Sequence, residues 1–233
     1  MQVEIVQGHF PPPNPDGITV VIDVIRAFTT SYHAFLRGVR CIWPVANRPD
    51  AFALRREKPE ALLAGEIEAL PIEGFDFGNS PEEISTADLE GRELILRTTN
   101  GVAATLAARA SARVLVCGLV TAEATAAAVR QAAPAKVLLV ASHPTGDEDL
   151  ACAQYIRGLL GGEGIALEEA MRRTREAAAA RKFYAAGNPH LRAGDIELAA
   201  QSAGPDAPVM EVTYQPRPRI DVKGASRPLL PDT

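Results

Sequence analysis

The sequence has few cysteines and histidines, and their spacing excludes the usual disulfide and zinc frameworks. Its three cysteines, Cys41, Cys117 and Cys152, lie far apart in the 233-residue chain and form no C-x-x-C motif. Each lies in an apolar run, so we expect small buried residues rather than a disulfide, a zinc knuckle or a catalytic thiol. The four histidines are dispersed, without an H-x-H or H-E-x-x-H pattern, which argues against a zinc site.

The sequence also lacks an excess of positive charge. The chain carries 24 Lys and Arg residues against 29 Asp and Glu residues, a formal charge of −5. Nucleic-acid binders usually concentrate basic residues on one face, and the basic residues here are scattered, so we expect no nucleic-acid partner. An anionic substrate would have to be held by local positive groups, because the overall charge repels it.

Long apolar runs and a signal peptide are absent as well. No apolar stretch reaches about 20 residues, the length that crosses a bilayer. The first residues, Met1-Gln2-Val3-Glu4, include no charged segment followed by an apolar one. We therefore expect no membrane association and a cytoplasmic protein.

The sequence does contain a regular alternation of short β-branched runs with longer Ala-rich amphipathic segments, and 47% of its residues are hydrophobic. The predicted strands are Val3–Val6, Ile18–Ile25, Arg40–Val45, Ala61–Ala64, Glu93–Thr98, Arg113–Cys117, Lys136–Ala141 and Val209–Thr213. The predicted helices are Thr30–Arg37, Pro49–Lys58, Val102–Ala108, Ala122–Ala132, Glu148–Leu160, Leu167–Ala185 and Gly194–Ser202. This alternation predicts an α/β fold, a three-layer α/β/α arrangement with a mostly parallel sheet.

The alternation continues without a clear linker, which predicts one domain over residues 1–233. Two similar, closely joined lobes within that domain are the alternative. Four prolines after Tyr214 predict an extended tail over residues 215–233.

Polar residues interrupt the second predicted strand and open the helix after it. Asp23 stands in a buried apolar run, where an unpaired carboxylate is too costly to lack a partner. A metal ion, or Arg26 three residues later, could neutralise it. Thr29 and Thr30 are candidate helix caps whose hydroxyl and backbone N–H groups would face an anion. A structural Asp–Arg pair with an ordinary helix cap explains this segment equally well.

Two further loops follow predicted strands. Gly65-Glu66 comes directly after a short strand, where a carboxylate can serve as a Mg²⁺ ligand, although a surface glutamate there is common. The segment 74–81, G-F-D-F-G-N-S-P, is a tightly defined loop because it combines two glycines, an asparagine and a proline. Asn79 and Ser80 could reach a substrate from this loop, and a purely structural loop is the alternative.

Another candidate anion site is the turn Thr99-Asn100-Gly101, between a predicted strand and an Ala-rich helix. Hydroxyl, carboxamide and glycine at such a turn are typical of a phosphate cradle made of backbone amides. The turn lacks the G-K-[ST] signature of a P-loop. A helix cap with a turn glycine is the simpler explanation of this motif alone.

Acidic residues open the helix that follows the Lys136–Ala141 strand. The run Gly146-Asp147-Glu148-Asp149 could serve the helix dipole, or it could hold Mg²⁺ through one or two carboxylates. His143, on the same loop, could assist proton transfer or simply be solvated. All of these segments follow predicted strands, so we expect them to meet in one pocket that binds an anion and a hard cation.

The chain resembles the 2-phosphosulfolactate phosphatase family in an ordered series of segments: 23–30 (D-V-I-R-A-F-T-T), 65–66 (G-E), 74–81 (G-F-D-F-G-N-S-P), 98–101 (T-T-N-G) and 148–149 (E-D). Gly194-Asp195-Ile196 also fits the family's carboxy-terminal helix. The resemblance implies a Mg²⁺-dependent hydrolase with an α/β/α fold, acting on phosphate esters of 2-hydroxycarboxylic acids. The reaction that names the family converts 2-phospho-3-sulfolactate to 3-sulfolactate and phosphate, a step of coenzyme M biosynthesis.

With this resemblance, the candidate residues fall into three groups. Mg²⁺ is expected to be bound or supported by Asp23, Glu66, Glu148 and Asp149. Catalytic roles are expected for Asp23, Arg26 and Glu66. Substrate contacts are expected from Thr29, Thr30, Asn79, Ser80, Thr99, Asn100 and Gly101. The expected partner is a small anionic phosphate ester, and both a monomer and a homo-oligomer stay open.

The nucleophile is expected to be either a metal-activated water or Asp23 itself. The segment lacks the D-x-D pattern typical of haloacid-dehalogenase phosphatases, since Ile25 stands at the position of the second Asp. We therefore favour water.

Two positions depart from the family pattern. Ile67 follows Gly-Glu where the family usually carries a basic residue, and Leu119-Val120-Thr121 occupies a turn that tends to carry Asn. If that basic residue binds the second anionic group of the substrate, its replacement weakens sulfonate recognition in particular. Two alternatives follow, namely a phosphatase for another small phosphorylated carboxylic acid and a non-catalytic anion-binding homologue. The retained acidic residues argue against the second.

Overall fold

Ten strands form one mixed sheet in the residues that the computed structural model describes, 1–185 and 187–223. The strands are β1 (Gln2–Gln7), β2 (Ile18–Ile22), β3 (Cys41–Pro44), β4 (Leu62–Ile67), β5 (Leu70–Pro71), β6 (Glu93–Arg97), β7 (Arg113–Cys117), β8 (Lys136–Ala141), β9 (Val209–Thr213) and β10 (Arg219–Lys223). The helices are α1 (Ala27–Leu36), α2 (Arg48–Glu57), α3 (Pro81–Thr86), α4 (Gly101–Ala107), α5 (Ala122–Ala132), α6 (Asp147–Leu159), α7 (Leu167–Glu176), α8 (Ala178–Tyr184) and α9 (Ala193–Ala199). Ala108–Ala110 and Leu119–Thr121 form short 3-10 turns.

The sheet consists of two parallel blocks that run in opposite directions. Its strand order is β1-β8-β2-β7-β9-β10-β3-β6-β4-β5. Neighbours are parallel within β1-β8-β2-β7 and within β3-β6-β4. Between the blocks, three successive antiparallel pairings reverse the direction, so β3, β6 and β4 run opposite to β2. The predicted α/β class with a mostly parallel sheet is confirmed.

The sheet is strongly bent, because the carboxyl ends of the two blocks meet. In a flat sheet β2 and β6 would lie roughly 24 Å apart, with their carboxyl ends at opposite edges. Instead, the N–H of Gly101 after β6 donates to the carboxylate of Asp23 after β2 at 2.8 Å. The sheet wraps around α1, α3 and α4, whose residues Phe28, Ile84 and Val102 share one core with strands of both blocks.

The central strands are buried on both faces. All five residues of β2 are buried. Val21 belongs to the core around α1, whereas Val20 and Ile22 belong to a second core that contains residues of α5 and α6. Alternate residues of a strand point to opposite faces, so helices cover this block on both sides. That double cover explains the nearly continuous apolar sequence of the strand.

β2 and β4 end at residues other than those predicted from the sequence. The strand predicted over Ile18–Ile25 stops at Ile22, because the N–H of Val24 donates to the side chain of Asp149 rather than to a neighbouring strand. β4 continues to Ile67, where it pairs with β5 in a short antiparallel hairpin that was not predicted.

The long helix predicted over Leu167–Ala185 is broken at Ala177. This residue has extended dihedral angles (φ −53°, ψ 146°) and separates α7 from α8. The break turns α8 so that Phe183 packs in a small core with Ile196 of α9. Burial of the aromatic ring outweighs the helix propensity of the Ala-rich segment.

β10 lies within the region predicted as an extended tail, residues 215–233. Arg219–Lys223 pair with both β9 and β3, in the interior of the sheet. The neighbouring Pro216 and Pro218 hide this strand in the sequence, because prolines are unusual near a central strand. Residues 224–233 of the predicted tail lie outside the described residues.

The three cysteines are buried and unpaired, as predicted. Within residues 1–185 and 187–223, no helix is both long enough and apolar enough to span a membrane.

Candidate active site

Asp23 lies where β2 ends and where two helices begin. Its Oδ1 accepts a hydrogen bond from the N–H of Ala27 at the start of α1 (3.0 Å), and its Oδ2 accepts one from the N–H of Gly101 at the start of α4 (2.8 Å). A Cβ atom at position 101 would lie 2.5 Å from Oδ2, so only glycine fits there. The first N–H groups of a helix lack partners within it, so a buried carboxylate is stabilised at this position. Asp23 thereby ties the two parallel blocks together.

Glu66, at the end of β4, reaches the turn that follows β6. Its Oε1 accepts the N–H of Thr99 at 2.7 Å, and its Oε2 accepts the N–H of Ala69 at 2.6 Å. Two of the three amides of the predicted anion cradle, those of Thr99 and Gly101, are therefore bonded to carboxylates of the protein itself. The turn presents the side chain of Asn100, which makes no capping hydrogen bond, rather than an open row of amides.

Arg26 is held from three sides. Its Nη1 donates to Oδ2 of Asp195 at 2.5 Å and its Nη2 donates to the carbonyl of Ala69 at 3.0 Å. The guanidinium also lies over the ring of Phe183, 4.6 Å from its centroid. Both members of the ion pair are buried. An Asp–Arg pair therefore exists, as one alternative held, but its carboxylate comes from α9 and not from Asp23.

Asp195 also anchors the loop that carries Asn79 and Ser80. Its Oδ1 accepts the hydroxyl of Ser80 at 2.6 Å and the N–H of Glu82 at 3.2 Å. Ser80 in turn accepts the N–H of Glu83 and caps α3. The hydroxyl of Ser80 is thus engaged within the protein. Oδ1 of Asn79, in contrast, is buried without a hydrogen-bond partner among the described residues.

Three buried carboxylates lie close together near the ends of β2 and β8. Burial is the main cause that raises the pKa of Asp23 to about 6. Burial, together with the charges of Asp23 and Asp147, raises the pKa of Glu148 to about 7. The pKa of Asp149 lies well above its ordinary value, because of burial and the charges of Asp23 and Glu148. Burial therefore disfavours the ionised forms of all three carboxylates, and their mutual repulsion adds to this effect.

Asp149 uses both of its oxygens inside the protein. Its Oδ1 accepts the N–H of Val24 at 2.7 Å, and its Oδ2 accepts the N–H of His143 at 3.0 Å and the hydroxyl of Ser142 at 3.2 Å. It clamps the loop after β2 to the loop after β8. Oε2 of Glu148, in contrast, is buried with no partner in the described part of the chain.

This arrangement fits a divalent cation that has few protein ligands. No three His, Cys, Asp or Glu side chains of the described residues are grouped so that they could hold a metal ion. Mg²⁺ does not need such a cage, because it usually takes one or two carboxylates together with waters and substrate phosphate. The unpartnered Oε2 of Glu148, near Asp23, suits such a ligand, since a buried carboxylate oxygen is costly without a cation or a donor. The oxygens of Asp23, Glu66 and Asp149 each accept an N–H or O–H donor, so within the described residues Glu148 alone of the four predicted ligands has a buried oxygen without a hydrogen-bond partner. A carboxylate oxygen has two lone pairs, so a hydrogen bond leaves one available to a cation.

A cavity of about 190 Å³ opens over these residues. Of the predicted site residues, those that line it are Asp23, Arg26, Glu66, Asn79, Thr99 and Asn100. The others are buried outside the lining: Thr29, Thr30, Ser80, Gly101, Glu148 and Asp149. The prediction that Thr29 and Thr30 cap a helix was wrong, because α1 begins earlier, at Ala27, with Arg26 as its N-cap. The hydroxyl of Thr29 donates to the carbonyl of Val24 at 2.8 Å, and the hydroxyl of Thr30 has no partner among the described residues. Direct substrate contacts by these residues stay a prediction.

Lys182, Phe183 and His143 also line the cavity, and the first two were not predicted. Lys182 and Phe183 belong to a segment whose sequence is typical of a surface helix. The helix break at Ala177 places this segment over the site. His143 was considered for proton transfer. Burial lowers its pKa, and nearby positive charge lowers it further, so the ring is neutral near pH 7. Because Nδ1 accepts the N–H of Thr145 at 3.1 Å, the neutral ring carries its proton on Nε2.

The chain is similar to known proteins of one family. Residues 6–197 match the 2-phosphosulpholactate phosphatase family. A probable 2-phosphosulfolactate phosphatase of Bacillus subtilis is 39% identical over 199 residues, 84% of this chain and 87% of the relative. The chain belongs to the 2-phosphosulpholactate phosphatase family. Relatives of the same name from Deinococcus radiodurans (38% identical; 60% of this chain, 56% of the relative) and Carboxydothermus hydrogenoformans (40%; 62% and 61%) match shorter stretches.

Membership of the 2-phosphosulpholactate phosphatase family confirms the resemblance inferred from the ordered motifs. The matched range contains every predicted site residue and also Asp195, and it ends before the central hairpin of β9 and β10. The departure at Ile67 lies away from the site lining. Its side chain is 47% exposed, and the neighbouring Glu68 and Ala69 line the cavity instead.

Proposed function

We propose that the protein is a Mg²⁺-dependent phosphatase that acts in the cytoplasm on phosphate esters of small 2-hydroxy acids, and that it converts 2-phosphosulfolactate to 3-sulfolactate and phosphate. The observation that carries this proposal is the cavity at Asp23, where buried carboxylates, a fixed guanidinium and carboxamides converge. Phosphoryl transfer depends mainly on positioning and on neutralising charge at the phosphate oxygens. The names of the relatives, probable 2-phosphosulfolactate phosphatases, supply the reaction and the substrate.

In the proposed site, Arg26 and Asn100 bind phosphate oxygens, and Asn79 binds the carboxylate of the ester. Arg26 is suited to this role because Asp195 and Ala69 fix its guanidinium before the substrate arrives. Preorganised donors of this kind lose little freedom on binding, so their full interaction is available to the transferred group.

Asp23 and Glu148 would hold the cation. Bound Mg²⁺ supplies Lewis acidity and neutralises charge on the phosphate. The N–H groups of Ala27 and Gly101 fix the orientation of Asp23, whereas Glu148 keeps one buried oxygen without a protein partner.

We favour water as the nucleophile. Both oxygens of Asp23 already accept backbone N–H groups, and these hydrogen bonds stabilise the carboxylate and make it a weaker nucleophile. His143, which lines the cavity and carries its proton on Nε2, would donate a hydrogen bond to the substrate rather than remove a proton.

Phosphate release from three esters tests the proposal. The purified protein is assayed with 2-phosphosulfolactate, 2-phospholactate and phosphoglycolate, each with Mg²⁺ and after chelation. We expect Mg²⁺-dependent turnover, fastest with 2-phosphosulfolactate. A clear preference for a non-sulfonated ester would indicate instead a phosphatase for another small phosphorylated carboxylic acid. Binding of all three esters without turnover would indicate that the protein is a non-catalytic anion-binding homologue.

Gly101→Ala is expected to lower kcat/KM by about 100-fold, since a misplacement of about 1 Å at a catalytic group can cost that much. The added Cβ would lie 2.5 Å from Oδ2 of Asp23 and 3.0 Å from the Cβ of Ala27, so the carboxylate has to move. Gly162→Ala is the control, because its nearest neighbour is the flexible side chain of Arg157 at 3.0 Å, away from the cavity. Equal rates of phosphate release by the two variants would contradict the expectation that activity depends on the close contact between position 101 and Asp23.

Mg²⁺ is expected to stabilise the fold more at alkaline than at acidic pH. The folded-state pKa values of Asp23 (about 6) and Glu148 (about 7) are raised, so the folded protein binds more protons than the unfolded chain between the ordinary and the raised values. The stability of the metal-free protein therefore falls as pH rises through that window. Above it, the carboxylates are ionised although buried and close to one another, and a bound cation would offset the cost of both.

At about pH 8, Mg²⁺ at about 100 times its Kd should raise Tm by about 5–10 °C. At about pH 5, below both raised values, the shift should nearly vanish. Glu148→Gln should abolish the shift and raise the Tm of the metal-free protein, whereas the exposed Glu163→Gln should change neither. If Mg²⁺ raised Tm equally at both pH values, or still raised it in Glu148→Gln, Glu148 would not be a ligand of the cation.

A further inference from the structure

Among the described residues, one arginine and one lysine line the cavity, Arg26 and Lys182, and they differ in depth and in pairing. Arg26 is 3% exposed at the floor, next to Asp23, and its charge is balanced by Asp195 at 2.5 Å. Lys182 is exposed, so it lies at the mouth. Lys182 is therefore available to the outer end of a ligand whose phosphate binds at the floor.

Lys182 has no carboxylate partner within the described residues. Its ammonium lies 5.8 Å from the ring centroid of the adjacent Phe183. It is also close enough to lower the pKa of His143, which lines the same cavity, and that of the buried Glu148 behind the lining. An exposed ammonium at a cavity mouth, free of a carboxylate partner, is available to a ligand anion.

The backbone of Lys182 is held in place by the neighbouring Phe183. Phe183 is 2% exposed, packs with Ala180 and Ile196, and lies under the guanidinium of Arg26. The backbone of α8 is therefore anchored to the cavity floor, and the exposed side chain of Lys182 extends from this anchored helix.

Ile67, which follows Gly65-Glu66, brings no charge to the cavity. It is half exposed and does not belong to the described lining of the cavity. Lys182 of α8 brings an exposed positive charge to that lining, where it could meet a second anionic group.

We infer that Lys182 binds the second strong anion of the substrate, the sulfonate of 2-phosphosulfolactate, and so acts as the residue that sets the preference for sulfonated over non-sulfonated esters. This inference rests on the proposed function. A compact, strongly hydrated ammonium suits a sulfonate at a solvated cavity mouth, where a flexible point charge meets three equivalent oxygens.

A comparison of two enzymes on two substrates tests this role. Wild type and Lys182→Gln are assayed with 2-phosphosulfolactate and with 2-phospholactate, which lacks the sulfonate. Loss of a hydrogen bond between charged groups lowers kcat/KM by about 10- to 100-fold. We expect that loss with the sulfonated ester, mainly through KM, and a loss of less than about threefold with the other. Lys182→Arg should restore most of the preference, because it keeps the charge.

Arg181→Gln is the matched control, since Arg181 is the exposed neighbour on α8 and does not line the described cavity. It should leave both rates unchanged. Equal losses with both esters in Lys182→Gln, or no loss, would overturn the role of Lys182 while leaving the phosphatase intact. No phosphate release from 2-phosphosulfolactate by the wild type would overturn the proposed function and this inference with it.

Discussion

Asp23→Asn is expected to lower Mg²⁺-dependent phosphate release by about 100- to 1,000-fold, the range seen when a metal-site or charge-stabilising group is lost. The substitution removes the negative charge offered to the cation. It also places an NH₂ group against one of two backbone donors, because the carboxylate accepts the N–H of Ala27 and of Gly101. The site would lose a ligand and the contact that holds α1 to α4.

The fold should survive this change. Burial already disfavours the charged form of Asp23, so neutralising it relieves a cost that offsets the lost hydrogen bond. Asp16→Asn, an exposed replacement of the same kind, should keep full activity. Measured rates within about threefold of wild type for Asp23→Asn, with an unchanged dependence on Mg²⁺, would mean that Asp23 has no catalytic role.

Asp195→Ala is expected to lower the free energy of unfolding by about 3–5 kcal/mol, because it leaves a buried guanidinium without its counter-charge. Arg26 and Asp195 are 3% and 0% exposed, and their ion pair spans 2.5 Å. The same carboxylate accepts the hydroxyl of Ser80 and the N–H of Glu82, so the loop before α3 also loses its anchor. Unfolding in urea, followed by circular dichroism, measures the change.

Two further variants separate charge burial from a general loss of packing. Glu176→Gln removes a carboxylate from an exposed pair with Arg172, and it should leave the unfolding curve unchanged within error. Arg26→Met combined with Asp195→Ala should recover part of the stability lost in Asp195→Ala, since no charge is then buried alone. Strictly additive losses in the double variant would contradict the account of a buried, mutually dependent pair.

The local parts of the fold could be predicted because their signals are local. The apolar run of β2, the alternation of strands and helices, and the glycine and asparagine turns each occupy a few neighbouring residues. Eight of the ten described strands and most helices were predicted within a few positions, whereas β5 and β10 were missed. Six of the candidate residues line one cavity for the same reason, since each follows a strand. Their catalytic and metal-binding roles remain predictions.

The long-range parts could not be predicted in this way. The opposite directions of the two blocks depend on the hairpin of β9 and β10, and no local pattern encodes which strands such a hairpin separates. Asp195 lies 169 residues from Arg26 in sequence. In the sequence it reads as an ordinary acidic residue of a first helical turn, so only the fold identifies it as the partner of Arg26.

The amides of the Thr99-Asn100-Gly101 turn illustrate a second limit of local patterns. The pattern predicts a row of N–H donors for an anion. In the structure, two of these N–H groups donate hydrogen bonds to the carboxylates of Glu66 and Asp23. A carboxylate distant in sequence can satisfy a helix start as well as a ligand can. The phosphate-binding part of the proposal therefore depends on the side chains of Asn100 and Arg26.

A crystal structure with Mg²⁺ and a phosphate analogue such as orthovanadate would locate the anion and the cation of the proposed site at once. We expect an anion in contact with Arg26 and Asn100, and a cation in contact with Asp23 and Glu148. An anion bound away from both Arg26 and Asn100, or a cation that touches neither carboxylate, would contradict the proposed site.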